Sequence, residues 1–272
     1  QIELKVLAWY AGEKGMIDIL ASAGDLHSWV AQKVFKLPCS VKEVKDKFKP
    51  YRYRAKAVNF GLVYGMTEFG LSKDPKMGMT VDQAAQFIEE YMATFPGVRA
   101  YATEMIAFAR QNGYVETMFH HRRPIPEINH PNKWVRQKGE NKAMNTPIQG
   151  SAADLIRLAM VNIRNERPEW FKLIMQIHDE LQAETPVEYA AEGARFMKGV
   201  MERHIDGFSD IMPIVSEPAV GATWDTALDL KWKPDGTPYV KPKKEKKEAT
   251  DVTYDMIAPY EHYYKLAGIE IA

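Results

Sequence analysis

Within residues 50–65, P-Y-R-Y-R-A-K-A-V-N-F-G-L-V-Y-G, Arg52, Lys56, Phe60 and Tyr64 fall at successive i, i+4 positions, so a helix would line them up in one slowly drifting stripe. A forked guanidinium and a point-charge ammonium one turn apart suit a run of phosphates, and flat rings beyond them suit a base and its sugar. In order and in chemistry the stripe matches a nucleoside triphosphate. By residue type alone, a solvated basic face beside core aromatics is the commoner arrangement. A second polar group lies in L-I-M-Q-I-H-D-E-L-Q-A-E at 173–184, where two short apolar runs flank a polar tip and predict a hairpin with His178, Asp179 and Glu180 at its turn. Acids are common in turns, so that tip alone specifies little. Asn145 and Gln149, four apart, form a third group. Carboxamides donate and accept, which suits the minor-groove N3 and O2 acceptors shared by every base pair; such contacts would check pair geometry without reading sequence.

Punctuation in the chain indicates the elements that must hold these groups. Pro50 begins a helix without removing a donor that the helix needs. Residues 1–11 alternate at first (Ile2, Leu4 and Val6 against Glu3 and Lys5) and then turn continuously apolar, which predicts a strand entering a helix. Residues 13–35 read as helical with a break at Gly24-Asp25, and 36–50 as a connector. Thr80 is placed to cap the next helix, F-P-G-V at 95–98 ends it, and another helix follows to Gln111. Residues 113–126 are strand and turn text carrying Arg122 and Arg123. Pro147 marks the start of a helix over 145–160 with an apolar face of Ala152, Leu155, Ile156, Ala159 and Met160. Residues 186–207 predict an amphipathic helix. From 231 the text K-W-K-P-D-G-T-P-Y-V-K-P-K-K-E-K-K-E predicts an exposed linker, and an aromatic close at 254–269 could dock on an unspecified surface.

With 272 residues, 46% of them hydrophobic, the chain can bury a real core. Acidic and basic residues balance at 36 each, so any affinity for nucleic acid must come from local clusters of cations. The single cysteine, Cys39, excludes an internal disulfide framework and a cysteine-built zinc site, and fits a reducing, intracellular setting. No apolar run approaches the roughly 20 residues of a membrane span, and no signal peptide is evident. The start at Gln1, inside an apolar segment and without methionine, suggests a cleaved, split or cropped product.

The string K-A-V-N-F-G-L-V-Y-G resembles the fingers-helix motif of family A DNA polymerases, K-x-x-x-N-F-G-x-x-Y-G, with Lys56, Asn59, Phe60, Gly61, Tyr64 and Gly65 in its spacing. Q-I-E-L-K at 1–5 is similar to the tail of the family's D-x-S-Q-I-E-L-R, and D-L-H at 25–27 to its D-I-H. G-Y-V-E-T-M-F-H-H-R-R-P-I-P at 113–126 resembles G-Y-V-E-T-L-F-G-R-R-R-x-x-P, and residues 145–154 resemble N-x-P-x-Q-G-x-A-A-D. H-D-E at 178–180 matches the family's V-H-D-E, and 214–225 its last strand and Gly-x-x-Trp ending. Together the matches cover about residues 1–228.

The resemblance implies an α/β (α+β) fold in which an antiparallel palm sheet carries a mostly helical fingers insertion: palm at 1–12, fingers at 13–111, palm again at 112–230, and a linker and tail at 231–272. It implies templated addition of deoxynucleotides to a primer 3′-hydroxyl, with release of pyrophosphate and two Mg2+ ions as cofactors. Arg52, Lys56 and His27 would then hold the triphosphate, with Lys56 also able to protonate the leaving group. Phe60 and Tyr64 would pack the new base pair, and Glu3 would exclude the ribose 2′-hydroxyl. Arg122, Arg123, Asn145, Gln149 and His178 would contact primer–template DNA. Asp179 would be a metal ligand, with Glu180 beside it in the catalytic group. The family's other metal-binding aspartate precedes the residue matching Gln1, so an upstream polypeptide bearing it, and the thumb, is an expected partner. No membrane partner is expected, and the setting would be the cytoplasm of a bacterial or virus-infected bacterial cell. The chain departs from the motifs at Lys5 (usually Arg), at His120-His121 (usually Gly-Arg) and at Asn141 (commonly Arg). A single-subunit RNA polymerase core and a non-catalytic DNA-binding remnant remain alternatives; Glu3 and Glu180 argue against the first.

Overall fold

In a computed structural model, residues 2–22, 24–61, 65–75, 77–240 and 261–272 are described. Tyr64 and the side chain of Phe60 lie outside the described residues, as does 241–260 of the tail. The fold mixes helices with small sheets, and the chain divides into two compact units, residues 1–155 with 205–213, and residues 156–204 with 214–272.

The first unit is mainly helical. Its helices are α1 (Ile2–Ala11), α2 (Lys14–Ala21), α3 (Leu26–Val34), α4 (Val41–Lys47), α5 (Lys49–Gly61), α6 (Glu68–Ser72), α7 (Val81–Thr94) and α8 (Pro96–Asn112). Capping residues set several of these ends. Asp25 accepts from Ser28 N at the start of α3, and Ser40 with Glu43 and Thr80 with Gln83 form capping boxes on α4 and α7. Pro50 sits in the first turn of α5, as its fixed φ favours. The stretch 36–50, read as a connector, is mostly α4 and the start of α5.

The strand expected at the amino end is instead the helix α1. Lys5, which strict alternation would turn to solvent, is buried, and its Nζ donates to Pro213 O at 2.6 Å; burial lowers its pKa. Five alternating residues are too few to fix a period. Leu4, Leu7, Ala8 and the stem of Lys5 make a helical face, and packing decides the matter. The Trp9 indole donates to Gly207 O at 2.9 Å, and Tyr10 Oη lies 3.2 Å from Ser151 Oγ.

Strands β1 (Tyr114–Glu116) and β2 (Arg122–Pro124) pair antiparallel, and α9 (Lys133–Glu166) then runs as one long helix. Pro147 therefore lies inside a helix and does not start one. It costs the bond its missing N–H would make to Ala143 O, a residue packed with Ala109, Val115, Ile125 and Ile128 in a local core.

The second unit takes the end of α9 and adds β3 (Lys172–Ile177), β4 (Glu180–Glu184), α10 (Ala190–Met201) and β5 (Ala219–Val220). Its remaining elements are β6 (Leu228–Trp232), β7 (Pro238–Val240), α11 (Glu261–Leu266) and β8 (Glu270–Ile271). Strands β3 and β4 form the expected hairpin, with a register shift between Leu173 and Met175. Ile156, Ile163, Phe171, Leu181 and Val200 pack beneath it. In place of one palm sheet, the described strands make two hairpins and a four-stranded sheet ordered β5-β6-β7-β8, whose last pair is parallel.

The linker expected from residue 231 is folded as far as residue 240. Asp235 and Gly236 (φ +87) turn the chain from β6 into β7, and Leu228, Leu230 and Val240 enter a core with Tyr264, Ala267 and Ile269. The described part of the aromatic close, from 261 on, packs on this sheet. No described helix is long and apolar enough to cross a membrane.

Candidate functional site

Helices α3 and α5 bring the cationic stripe together with residues that orient it. Arg52 Nε donates to Asp25 Oδ2 at 2.8 Å and its Nη2 to Asp25 Oδ1 at 3.2 Å, a fork on fork, with Ser28 Oγ a further 3.2 Å acceptor for Nε. Burial opposes the charge of Asp25, but the bonds from Arg52 and Ser28 outweigh it and hold the carboxyl at about 2. Asp25 thus caps α3 and aims the guanidinium, while Nη1 makes no hydrogen bond among the described residues. One turn on, Lys56 is exposed, and no carboxylate among the described residues pairs with it.

His27 sits just inside α3 and is buried, and Asn59, fully buried on α5, donates from Nδ2 to His27 Nδ1 at 2.8 Å. With Nδ1 accepting, the ring proton is on Nε2. Burial, with Arg52 and Lys56 nearby, pushes the imidazole down to about 4 against the opposing pull of Asp25. His27 is therefore a neutral donor at physiological pH. The roles of Asp25, Ser28 and Asn59 were not assigned from sequence. Asn59 sits in the motif, and Asp25 precedes a helix start, but only the fold shows which side chains they serve.

Also in the first unit, Arg122 on β2 donates to Glu116 Oε1 at 2.6 Å and stacks over Tyr114, with the guanidinium 4.7 Å from the ring centroid. Arg123 reaches Thr146 Oγ1 on α9 at 3.1 Å. His121 Nδ1 lies 2.9 Å from the buried carboxylate of Asp154, and His120 (φ +62) lies 3.4 Å from Glu116. Both arginines are exposed but already engaged. Asn145 and Gln149 are half-buried on α9, one turn apart, and Asn145 Oδ1 is buried with no hydrogen-bond partner among the described residues. Glu3 lies in the first turn of α1, half-buried. Asn141 accepts from Gln137 at 3.1 Å and lies against Gly65, where an added Cβ would meet it at 2.3 Å.

In the second unit a two-residue connection, His178-Asp179, joins β3 to β4. His178 has φ +53, a left-handed backbone costly for a side chain with a Cβ, here held by the pairing of Ile177 with Glu180. His178, Asp179 and Glu180 are all exposed at this tip. Glu180 Oε1 accepts from Gln182 Nε2 at 3.0 Å and from the Trp224 indole at 3.1 Å. Two adjacent exposed carboxylates are a hard-oxygen donor set of the kind Mg2+ takes. No cluster of three or more potential ligands occurs among the described residues. The fit is thus to a cation completed by groups from elsewhere.

A family model described as DNA polymerase family A matches residues 1–226. The chain is 40% identical over 228 residues to DNA polymerase I of Geobacillus stearothermophilus and 38% identical over 227 residues to that of Lactococcus lactis subsp. cremoris. Each alignment covers 82% of this chain and 25% of the relative, so the chain spans about a quarter of the length of the curated relatives it matches. Among solved structures it resembles the POL domain of Pol1 from M. smegmatis in complex with DNA primer-template and dNTP. The TM-score is 0.69 at 33% identity, covering 79% of this chain and 37% of the other.

Proposed function

Because the chain belongs to DNA polymerase family A, we propose that it carries the fingers and the carboxyl-terminal palm of a template-directed DNA polymerase. In this reading the palm comprises residues 1–12 and 112–230, and the fingers residues 13–111. The hairpin at 228–240 and the tail segment 261–272 extend the palm core. The observation that carries the reading is the corner of α3 and α5, where Arg52 and His27 are each fixed by a dedicated partner beside the exposed Lys56. Such a corner binds a polyanion with little reorganisation.

Arg52, through the nitrogen Asp25 does not use, and His27, through Nε2, donate to oxygens of an incoming deoxynucleoside triphosphate. Lys56 neutralises the β- and γ-phosphates and gives a proton to the departing pyrophosphate. Phe60 and Tyr64 pack the nascent base pair, and Glu3 crowds the 2′ position of the sugar. Asn145 and Gln149 offer their amide N–H groups to the minor-groove acceptors, while Arg122, Arg123 and His178 contact the DNA strands. Asp179, with Glu180 beside it, is the carboxylate that would hold Mg2+. When bound, the ions lower the cost of charge on the attacking and leaving oxygens. The second metal-binding carboxylate and the thumb are assigned to an upstream polypeptide segment.

Primer extension by this chain supplied with that segment tests the reading. Templated incorporation of deoxynucleotides, reduced about a hundredfold by Lys56→Ala, is the expected result. Primer–template binding without turnover would overturn it in favour of a binding remnant. Equal use of ribonucleotides would favour an RNA polymerase core.

A further inference from the structure

The carboxylate of Glu180 is held from one side only. Both of its protein donors, Gln182 Nε2 and Trp224 Nε1, meet the single oxygen Oε1, and Oε2 has no hydrogen bond among the described residues. Gln182 lies two residues along β4, on the same face as Glu180. Trp224 comes from 44 residues away and is 61% exposed, so apolar burial is not what places it. An indole N–H can only donate, so in this contact the carboxylate oxygen accepts. The contact restrains Oε1.

The loop carrying Trp224 is closed by its own backbone. A Cβ added at Gly221 would lie 2.7 Å from Ala227 Cα, Ala227 N donates to Trp224 O at 3.3 Å, and Thr223 and Thr226 bond to each other at 2.9 Å. The Tyr264 hydroxyl reaches both ends of the loop, 3.2 Å from Val220 O and 3.3 Å from Thr226 O. Tyr264 is fully buried in α11, beyond the residues matched by the family model, and burial pushes its hydroxyl up to about 12, so it remains a donor.

We propose that Trp224 is a positioning residue for Glu180 and that Tyr264 braces the loop from which Trp224 acts. The proposal rests on the reading that places Glu180 in the polymerase site, and it gives the carboxyl-terminal extension a task in that site.

The test has a spectroscopic and a kinetic arm. In a 1H–15N correlation spectrum the chain's six tryptophans give separate indole signals, and Trp224→Phe identifies one of them. Glu180→Ala is expected to shift that signal and speed its exchange with water while leaving the others in place. Tyr264→Phe should broaden or shift the same signal with the backbone dispersion retained. A Trp224 signal indifferent to Glu180→Ala overturns the proposal without reference to catalysis. In primer extension with the upstream segment restored, Trp224→Phe is expected to lower kcat about tenfold with KM for the nucleotide changed less than about twofold. Added to Glu180→Ala it should lower kcat no further. Full additivity would overturn the positioning role. Undiminished synthesis by Glu180→Ala, with the spectral coupling intact, would instead remove Glu180 from the reaction and overturn the function reading at that residue.

Discussion

The corner of α3 and α5 and the tip of the β3–β4 hairpin hold their charges in opposite ways. At the corner, Arg52 and His27 are partly or wholly buried, and each has a partner within its own helix pair, Asp25 and Asn59. At the tip, Asp179 and Glu180 stand in solvent, and what orients Glu180 arrives partly from a loop 44 residues on. A site for a leaving polyanion profits from cations fixed beforehand, because reorganisation at the moment of reaction is costly. Carboxylates meant for a hydrated cation must keep exposed lone pairs, so their restraint has to come from a neighbour that occupies one oxygen and leaves the other.

The sharpest break of this comparison is at the tip. Asp179→Asn keeps the size of the side chain and removes its charge; kcat for nucleotide addition is expected to fall about a thousandfold while nucleotide affinity, which the proposed function assigns to the corner, changes by less than about threefold. Pre-steady-state incorporation alongside nucleotide binding measures both. A comparable loss in both would mean that the two regions do not divide binding from chemistry as proposed.

At the corner the expected effect is on stability and follows pH. The folded pKa of His27 is about 4 against 6.5 for an unconstrained ring, so between those values the unfolded chain takes up a proton that the folded chain refuses. Stability is therefore undiminished above pH 6.5 and falls as pH drops toward 4, by on the order of 3 kcal/mol for so large a shift. Asp25 acts in a lower window. Its folded value of about 2 lies under the usual 3.8 of an aspartate, so its contribution is present above 3.8 and is lost as pH falls through 2. Urea unfolding between pH 7 and 4.5 should show the upper loss in the parent chain, and His27→Gln should flatten it. Asn59→Ala leaves buried Nδ1 of His27 without its donor and should cost about 1 to 2 kcal/mol at pH 7.

How much of these regions could be read in the sequence differs for the same physical reason. Caps and tight turns are local: Thr80 opening α7, Pro50 in the first turn of α5 and the two-residue tip at His178-Asp179 are each decided within a few residues. The stripe of Arg52 and Lys56 was legible because helical spacing is local too. Partners distant in sequence were not. Asn59 meets His27 across 32 residues and Tyr264 meets Val220 across 44, and neither contact leaves a periodic mark. Nor was packing legible where it overrode a local signal. The short alternation of Ile2 to Val6 gave way to a helix that buries Lys5, and Pro147 was absorbed into α9 at the cost of one bond. The lysines and prolines after 230 masked the alternation of Leu228, Leu230 and Trp232 with Asp229 and Lys231, which was the strand signal there.

Arg122 and Arg123 stand between the two patterns, exposed like the tip but paired like the corner, and they carry the smallest expected effect. Arg122 has Nε on Glu116 and its face on Tyr114, whereas the hydrogen bond of Arg123 goes to a neutral hydroxyl, Thr146, with the Glu127 carboxylate near enough to feel its charge. A phosphate approaching Arg122 must share it with a carboxylate, so the counterion released on binding is fractional. Arg123, with no carboxylate bonded to it among the described residues, can release more. Arg123→Ala should weaken primer–template binding about three- to tenfold at low salt and reduce the salt slope by about one, and Arg122→Ala should do less on both counts. Glu116→Gln then separates the explanations, since it frees Arg122 without moving it far: affinity should rise and the salt slope should steepen. If affinity falls instead, Glu116 serves to aim Arg122 as Asp25 aims Arg52, and the β1–β2 hairpin belongs with the corner.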